Sequence, residues 1–191
     1  MHNVEYKSEL RDLDLARAVC HKLGATAIAA FEQIDTYYNV PSGRLKRRET
    51  AGETPEVIFY ERANRSRPKL SHFSIYTEAQ AAERFGTSPL PILVVVRKFR
   101  ELFMLASTRI HLDRVEGLGT FLEFESLISR ENTIADAHAT LANLRQAFGP
   151  FLGEAISDSY SDLLLREIED QDAIKALPST KRELPPGSSA S

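Results

Sequence analysis

Cys20 is the only cysteine in the chain. A lone thiol excludes an internal disulfide, so a reducing, cytoplasmic setting is the simpler expectation. No apolar run is long enough to span a bilayer, and the polar start Met1-His2-Asn3 is not a secretion leader, so no membrane role is expected. Strong net charge is also missing. The formal value is -3 over 191 residues, which argues against a general binder of nucleic-acid polymers, because such proteins carry a clear positive excess. What remains, 42% apolar and 27% charged residues, is the balance of a globular protein. The length suits one domain, or a domain with a small appendage.

The positive charge that is present is concentrated. Gly43-Arg44-Leu45-Lys46-Arg47-Arg48-Glu49 places four cations in five consecutive positions. Read as a strand, it puts Arg44, Lys46 and Arg48 on one face, with Leu45 and Arg47 on the other. Three like charges on one face need something anionic opposite, either carboxylates of neighbouring strands or a polyanionic ligand. Alone, such a run is a solvated face. It is not alone. Period-two alternation also groups Asn3/Glu5/Lys7/Glu9, Gln33/Asp35, Lys98/Arg100, Arg109/His111/Asp113 and Glu123/Glu125, mostly against apolar opposite faces.

The pattern predicts strands over 2–10, 27–38, 43–50, 56–62, 71–76, 91–104, 107–113 and 120–126. The turn composition of Asn39 to Gly43 makes a hairpin of the second and third. Helical spacing, with capping residues and terminal glycines, predicts helices over 11–24, 77–86, 132–148 and 160–169. Residues 1–172 form one domain, and the proline-bearing polar stretch 173–191 reads as a disordered tail. If the helices cover the apolar faces, the charged faces converge on the remaining side. About eight strands can close on themselves. Unpaired ions in a partly dry interior cost several kcal/mol each, so so dense a lining asks for a ligand. Cations fit a polyanion; clustered carboxylates beside them fit a divalent metal.

Five segments, in order and spacing, resemble the CYTH family. They are Asn3-Val4-Glu5-Tyr6-Lys7; Gln33 through Tyr38; Gly43 through Glu49; Lys98-Phe99-Arg100; and Asp113 through Gly117-Leu118-Gly119 to Glu123-Phe124-Glu125. Ser159-Tyr160-Ser161-Asp162-Leu163-Leu164 resembles the branch of that family similar to class IV adenylate cyclases. The family takes in class IV adenylate cyclases and thiamine triphosphatases and belongs to the triphosphate tunnel metalloenzymes. The resemblance spans roughly residues 2–165. It implies an α+β fold, an eight-stranded antiparallel closed β-barrel with a charged lumen and helices packed outside.

The resemblance also implies the chemistry. Lys7, Arg44, Lys46, Lys98 and Arg100 would hold and activate the phosphates, with Arg48, Arg62 and Arg109 as second choices. Tyr60 and His111 would contact base or sugar, or pack. Glu5, Glu123 and Glu125 would bind Mg²⁺ or Mn²⁺, and Asp113 would join them or orient one. The family's E-x-E-x-K opening reads Asn3-Val4-Glu5-Tyr6-Lys7 here, with Asn3 in place of the first glutamate. A neutral oxygen there puts a two-metal arrangement in doubt. The expected substrate is a small triphosphate: ATP for a cyclase, or thiamine triphosphate, tripolyphosphate or a nucleotide for a hydrolase. A sensor binding a phosphorylated ligand without turnover is the third reading. The oligomeric state stays open, a homodimer being one outcome.

Overall fold

The computed structural model describes residues 2–61 and 69–176. Arg62 and residues 177–191 of the expected tail lie outside the described residues. The elements follow the alternation read above. Nine strands form one sheet: β1 (His2–Leu10), β2 (Thr26–Tyr38), β3 (Arg44–Thr50), β4 (Glu56–Glu61), β5 (Lys69–Tyr76), β6 (Ile92–Leu105), β7 (Thr108–Val115), β8 (Gly119–Leu127) and β9 (Leu152–Ala155). Four helices accompany them: α1 (Leu13–Lys22), α2 (Glu78–Phe85), α3 (Ile134–Phe148) and α4 (Tyr160–Ala176). None of the described helices is long and apolar enough to cross a membrane.

The sheet order is β5-β4-β3-β2-β6-β7-β8-β1-β9 and its pairings are antiparallel. β1 is the busiest strand. It runs along β8, with Lys7 opposite Glu123 and Glu5 opposite Glu125. Its start also pairs with β5, His2 opposite His72, and its end with β9, Leu10 opposite Leu152. Expectation and structure differ in two places. A ninth strand is present, because Leu152-Gly153-Glu154-Ala155 has no β-branched residue and gives no strand signal on its own. Residues 173–176, read as the beginning of a tail, continue α4.

The apolar strand faces point outward and are covered. Val4, Tyr6 and Leu10 of β1, Ile110 and Leu112 of β7, and Leu122 and Phe124 of β8 pack with Ala16 and Cys20 of α1 and with Leu141, Leu144 and Phe148 of α3. Burial pushes the Cys20 thiol up to about 12, so it is an inert packing group. On the other flank, Leu45 and Val57 meet Ala81 of α2, and Arg47 donates to Glu78 at the start of that helix (2.7 Å). Thr77 and Gln80 close a reciprocal capping box on α2, and Thr133 and Asp136 do so on α3. Gly43 enters β3 at φ +67°, where a Cβ would meet the Phe59 ring at 2.5 Å, so only glycine fits that turn. With one face of the sheet sealed by helices, the odd-numbered polar residues of β1, β2, β7 and β8 are left to face one another.

Candidate active site

Those faces enclose a cavity of about 360 Å³. Its walls differ in character. β1 and β8 contribute Glu5, Glu123 and Glu125, together with Asn3. β2, β3 and β6 contribute Asp35, Lys46, Arg48, Lys98 and Arg100. β4 and β5 contribute an apolar plate in which Ile58 lies directly opposite Ile75, and Tyr60 opposite Phe73, with the carboxylate of Glu56 at the start of β4 beside it. Ser159 and Tyr160, at the start of α4, complete the lining.

The cationic wall is organised by one carboxylate. Asp35, whose side chain is 2% exposed, accepts from Lys98 Nζ at 2.7 Å, Lys46 Nζ at 3.1 Å, and Arg48 Nε and Nη2 at 2.7 and 2.9 Å. Strand register makes this possible, since Arg48 of β3 lies directly opposite Asp35. Burial pushes the Asp35 carboxyl up, but the charges of Arg48, Lys46 and Lys98 outweigh it and hold the group well below the usual carboxylate range. Burial drives Lys98 down to about 8 against the pull of Asp35, with Arg48 and Arg100 adding repulsion. Lys46 is pushed down in the same way, by burial first and then by Arg48. Three cationic side chains on one carboxylate leave an excess of positive charge facing the cavity.

A second network joins the two charged walls. Asp113, fully buried, takes Arg100 bidentately, Nε and Nη2 both at 2.6 Å, and accepts from the Tyr160 hydroxyl at 2.8 Å. Its two oxygens are thus committed to fixing Arg100, and it does not line the cavity. Glu123 accepts from Arg100 Nη2 at 3.1 Å and pairs with Lys7 Nζ at 3.3 Å. Burial raises the Glu123 carboxyl, but Lys7, His111 and Arg100 hold it well below its ordinary range. Lys7 Nζ also sits 4.1 Å from the centre of the Tyr160 ring, which packs on Phe121 at 5.0 Å. His111 Nδ1 lies 3.6 Å from Glu123 Oε2 and 3.9 Å from Glu125 Oε1.

Two expected phosphate contacts stand apart. Arg44 is bonded to Asp162 of α4 (2.6 Å) and does not line the cavity, although its strand parity matches that of Lys46 and Arg48. Arg109 lines it with a side chain 50% exposed, 3.8 Å from Glu125.

A family model described as the CYTH domain matches residues 1–160. This chain is a CYTH domain protein. Solved structures share its fold at low sequence identity. The PH1012 protein of Pyrococcus horikoshii OT3 is 20% identical at a TM-score of 0.67, covering 84% of this chain and 98% of that one. A candidate adenylate cyclase from Vibrio parahaemolyticus is 21% identical at 0.64, covering 86% and 98%. A candidate adenylyl cyclase from Hippeastrum, described as having a dominant triphosphatase activity, is 13% identical at 0.58, covering 92% and 98%. Curated protein sequences give no match.

Of the residues expected from sequence, Glu5, Lys7, Lys46, Arg48, Tyr60, Lys98, Arg100, Arg109, Glu123 and Glu125 line one cavity, whereas Arg44, His111 and Asp113 do not. Sequence reasoning left Asp35 without a role. Its signal was there, an acid alternating with Gln33 on a polar face, but its three partners come from two other strands. Tyr160 lay within a quoted motif without a function attached. Ile58, Phe73 and Ile75 gave no signal, because apolar residues on strands are packing by default.

Proposed function

We propose that this CYTH protein is a metal-dependent enzyme that binds a triphosphate along a closed β-tunnel, and that it acts as a class IV adenylate cyclase-like enzyme converting ATP to cyclic AMP and pyrophosphate. The observation that carries this reading is the opposition, within one cavity, of an over-cationic wall around Asp35 and an acidic wall of Glu5, Glu123 and Glu125. The β1–β5 ladder, joining the two ends of the eight-strand order, supports a sheet that closes on itself.

Lys46, Arg48, Lys98 and Arg100 would take the phosphate oxygens, the arginines through the donors that Asp35, Asp113 and Glu123 leave unused and the lysines as compact charges. Lys7 would follow them, and Arg44 and Arg109 would act at the periphery. Asp113 and Tyr160 keep Arg100 aimed. Glu5, Glu123 and Glu125 suit a hard divalent cation, since carboxylate oxygen is what such ions prefer. A bound Mg²⁺ or Mn²⁺ supplies neutralisation of phosphate charge and Lewis acidity. The chain's own contribution is positioning and preorganised charge. A cyclase needs the 3′-hydroxyl held in line with the α-phosphorus. The plate of Ile58, Tyr60, Phe73 and Ile75 supports this, because an uncharged wall gains nothing from inorganic tripolyphosphate but can carry a base and ribose.

A second reading, hydrolysis of a terminal phosphate from thiamine triphosphate, a nucleotide or tripolyphosphate, is favoured by the triphosphatase activity named for the Hippeastrum neighbour. One assay separates the two. Purified protein with Mg²⁺ or Mn²⁺ is given ATP, thiamine triphosphate or tripolyphosphate, and cyclic AMP, pyrophosphate and orthophosphate are resolved. Cyclic AMP with equimolar pyrophosphate is expected from ATP. Orthophosphate without cyclic AMP establishes the hydrolase, and no metal-dependent product overturns the enzymatic reading.

A further inference from the structure

His111 is 4% exposed, and its Nδ1 has no hydrogen-bond partner. A buried polar nitrogen left without a partner is costly, so its surroundings ought to supply one. What it faces is a pair of carboxylates, Glu123 at 3.6 Å and Glu125 at 3.9 Å, both beyond hydrogen-bond reach. The three ligand-type atoms all lie within 4.8 Å of one another. Around an octahedral ion with bonds of about 2.1 Å, neighbouring ligands stand about 3 Å apart and opposite ones about 4.2 Å; the 3.6 and 3.9 Å separations lie between these, within a side-chain adjustment of a shared ion. The β7–β8 register builds it, with His111 directly opposite Glu123. His111 lies behind the cavity wall that Glu123 and Glu125 form, and a second buried atom without a partner, Asn3 Oδ1, belongs to a residue of that wall two positions before Glu5.

We propose that His111 Nδ1 is itself a ligand of the divalent ion, beside Glu123 and Glu125, and that the site therefore favours first-row transition ions over Mg²⁺, with Mn²⁺ as the ion whose spectrum reports the ligand. The inference rests on the metal-dependent reading above and specifies its metal. Mg²⁺ is held through oxygen donors, whereas imidazole suits the later first-row ions such as Fe²⁺, Ni²⁺ and Zn²⁺ best and is a weaker aid to Mn²⁺. Asn3 removes one negative charge where a carboxylate would hold any dication electrostatically. A neutral imidazole adds a donor without restoring that charge, which shifts the balance from hard-ion attraction towards coordinate bonding. Ligation through Nδ1 places the ring proton on Nε2.

Pulsed electron paramagnetic resonance on the full-length protein loaded with Mn²⁺ tests this without any assay of turnover. ¹⁴N modulation on the Mn²⁺ echo is expected in the native protein and is expected to vanish in His111→Gln. Mn²⁺ affinity should fall about tenfold or more in that variant, since even outer partners of metal ligands are worth 10- to 100-fold. In His111→Asp, the Mn²⁺ over Mg²⁺ affinity ratio should fall towards that of an all-oxygen site. The native spectrum decides the matter even where a variant fails to fold. Bound Mn²⁺ with no nitrogen coupling overturns the imidazole ligand while leaving the triphosphate reading intact. A protein that binds Mg²⁺ but no Mn²⁺ overturns the imidazole ligand alone, and one that binds neither ion overturns both.

Discussion

Asp35 shows how much rests on one side chain. Lys46, Arg48 and Lys98 all pair with its one carboxylate. Asp35→Asn leaves buried cations without their counter-charge, and breaking a buried pair costs about 3–5 kcal/mol. Chemical denaturation should register that loss, and added tripolyphosphate should recover part of it by supplying the missing charge. Lys98 carries the pH dependence. Its ammonium is lost in the free protein as pH rises through about 8, and a bound phosphate restores it. Triphosphate affinity should therefore fall as pH rises from 7 to 9, with proton uptake visible as a buffer-dependent binding enthalpy. Stability moves the other way. Between about 8 and 10.5 the folded state binds fewer protons at Lys98 than the unfolded chain does, so this group makes stability rise with pH across that window. Calorimetry in two buffers checks the first, and denaturant midpoints against pH the second.

At the scale of elements, the β4–β5 hairpin is the part that distinguishes one triphosphate from another. Its outer face is held by α2 and its inner face is the apolar plate. Ile58→Arg should weaken ATP binding about 10- to 200-fold, the range for apolar contacts in a specificity pocket, while leaving tripolyphosphate binding equal or improved. Equal losses for both ligands would remove the plate from the argument. α3 makes the contrasting case. Leu141 is fully buried against β-strands on the far side of the sheet, so Leu141→Ala should cost about 2–5 kcal/mol of stability with turnover unchanged below the melting range.

Strand parity was what made the site legible in sequence, because alternate residues must share a face. It brought Lys46, Arg48, Lys98, Arg100 and Glu123 to the same side without any knowledge of neighbours. Register was not legible. The position of Asp35 opposite Arg48, and of Asp113 opposite Arg100, depends on how strands align. So Asp113 reads from sequence as a metal ligand or a group that orients one, while in the structure its oxygens bind Arg100 and Tyr160. β9 was invisible because four weakly β-forming residues become a strand only where the edge of β1 accepts them.

For the molecule as a whole, a net charge of -3 conceals a strong internal separation of sign. The position of β1 has a further consequence, for the route by which the chain folds. Lys7 pairs with Glu123 and Ser8 with Ala155, so the earliest strand has its partners far downstream. On a ribosome, the start of β1 can meet β5 once about a third of the chain is out, but its long ladder with β8 and its end at β9 wait until most of the polypeptide has emerged, and contacts this distant in sequence make for slow folding. The alternating charges of Asn3-Val4-Glu5-Tyr6-Lys7 then serve a second purpose, since a strand with ions on one side is a poor template for wrong pairing while it waits.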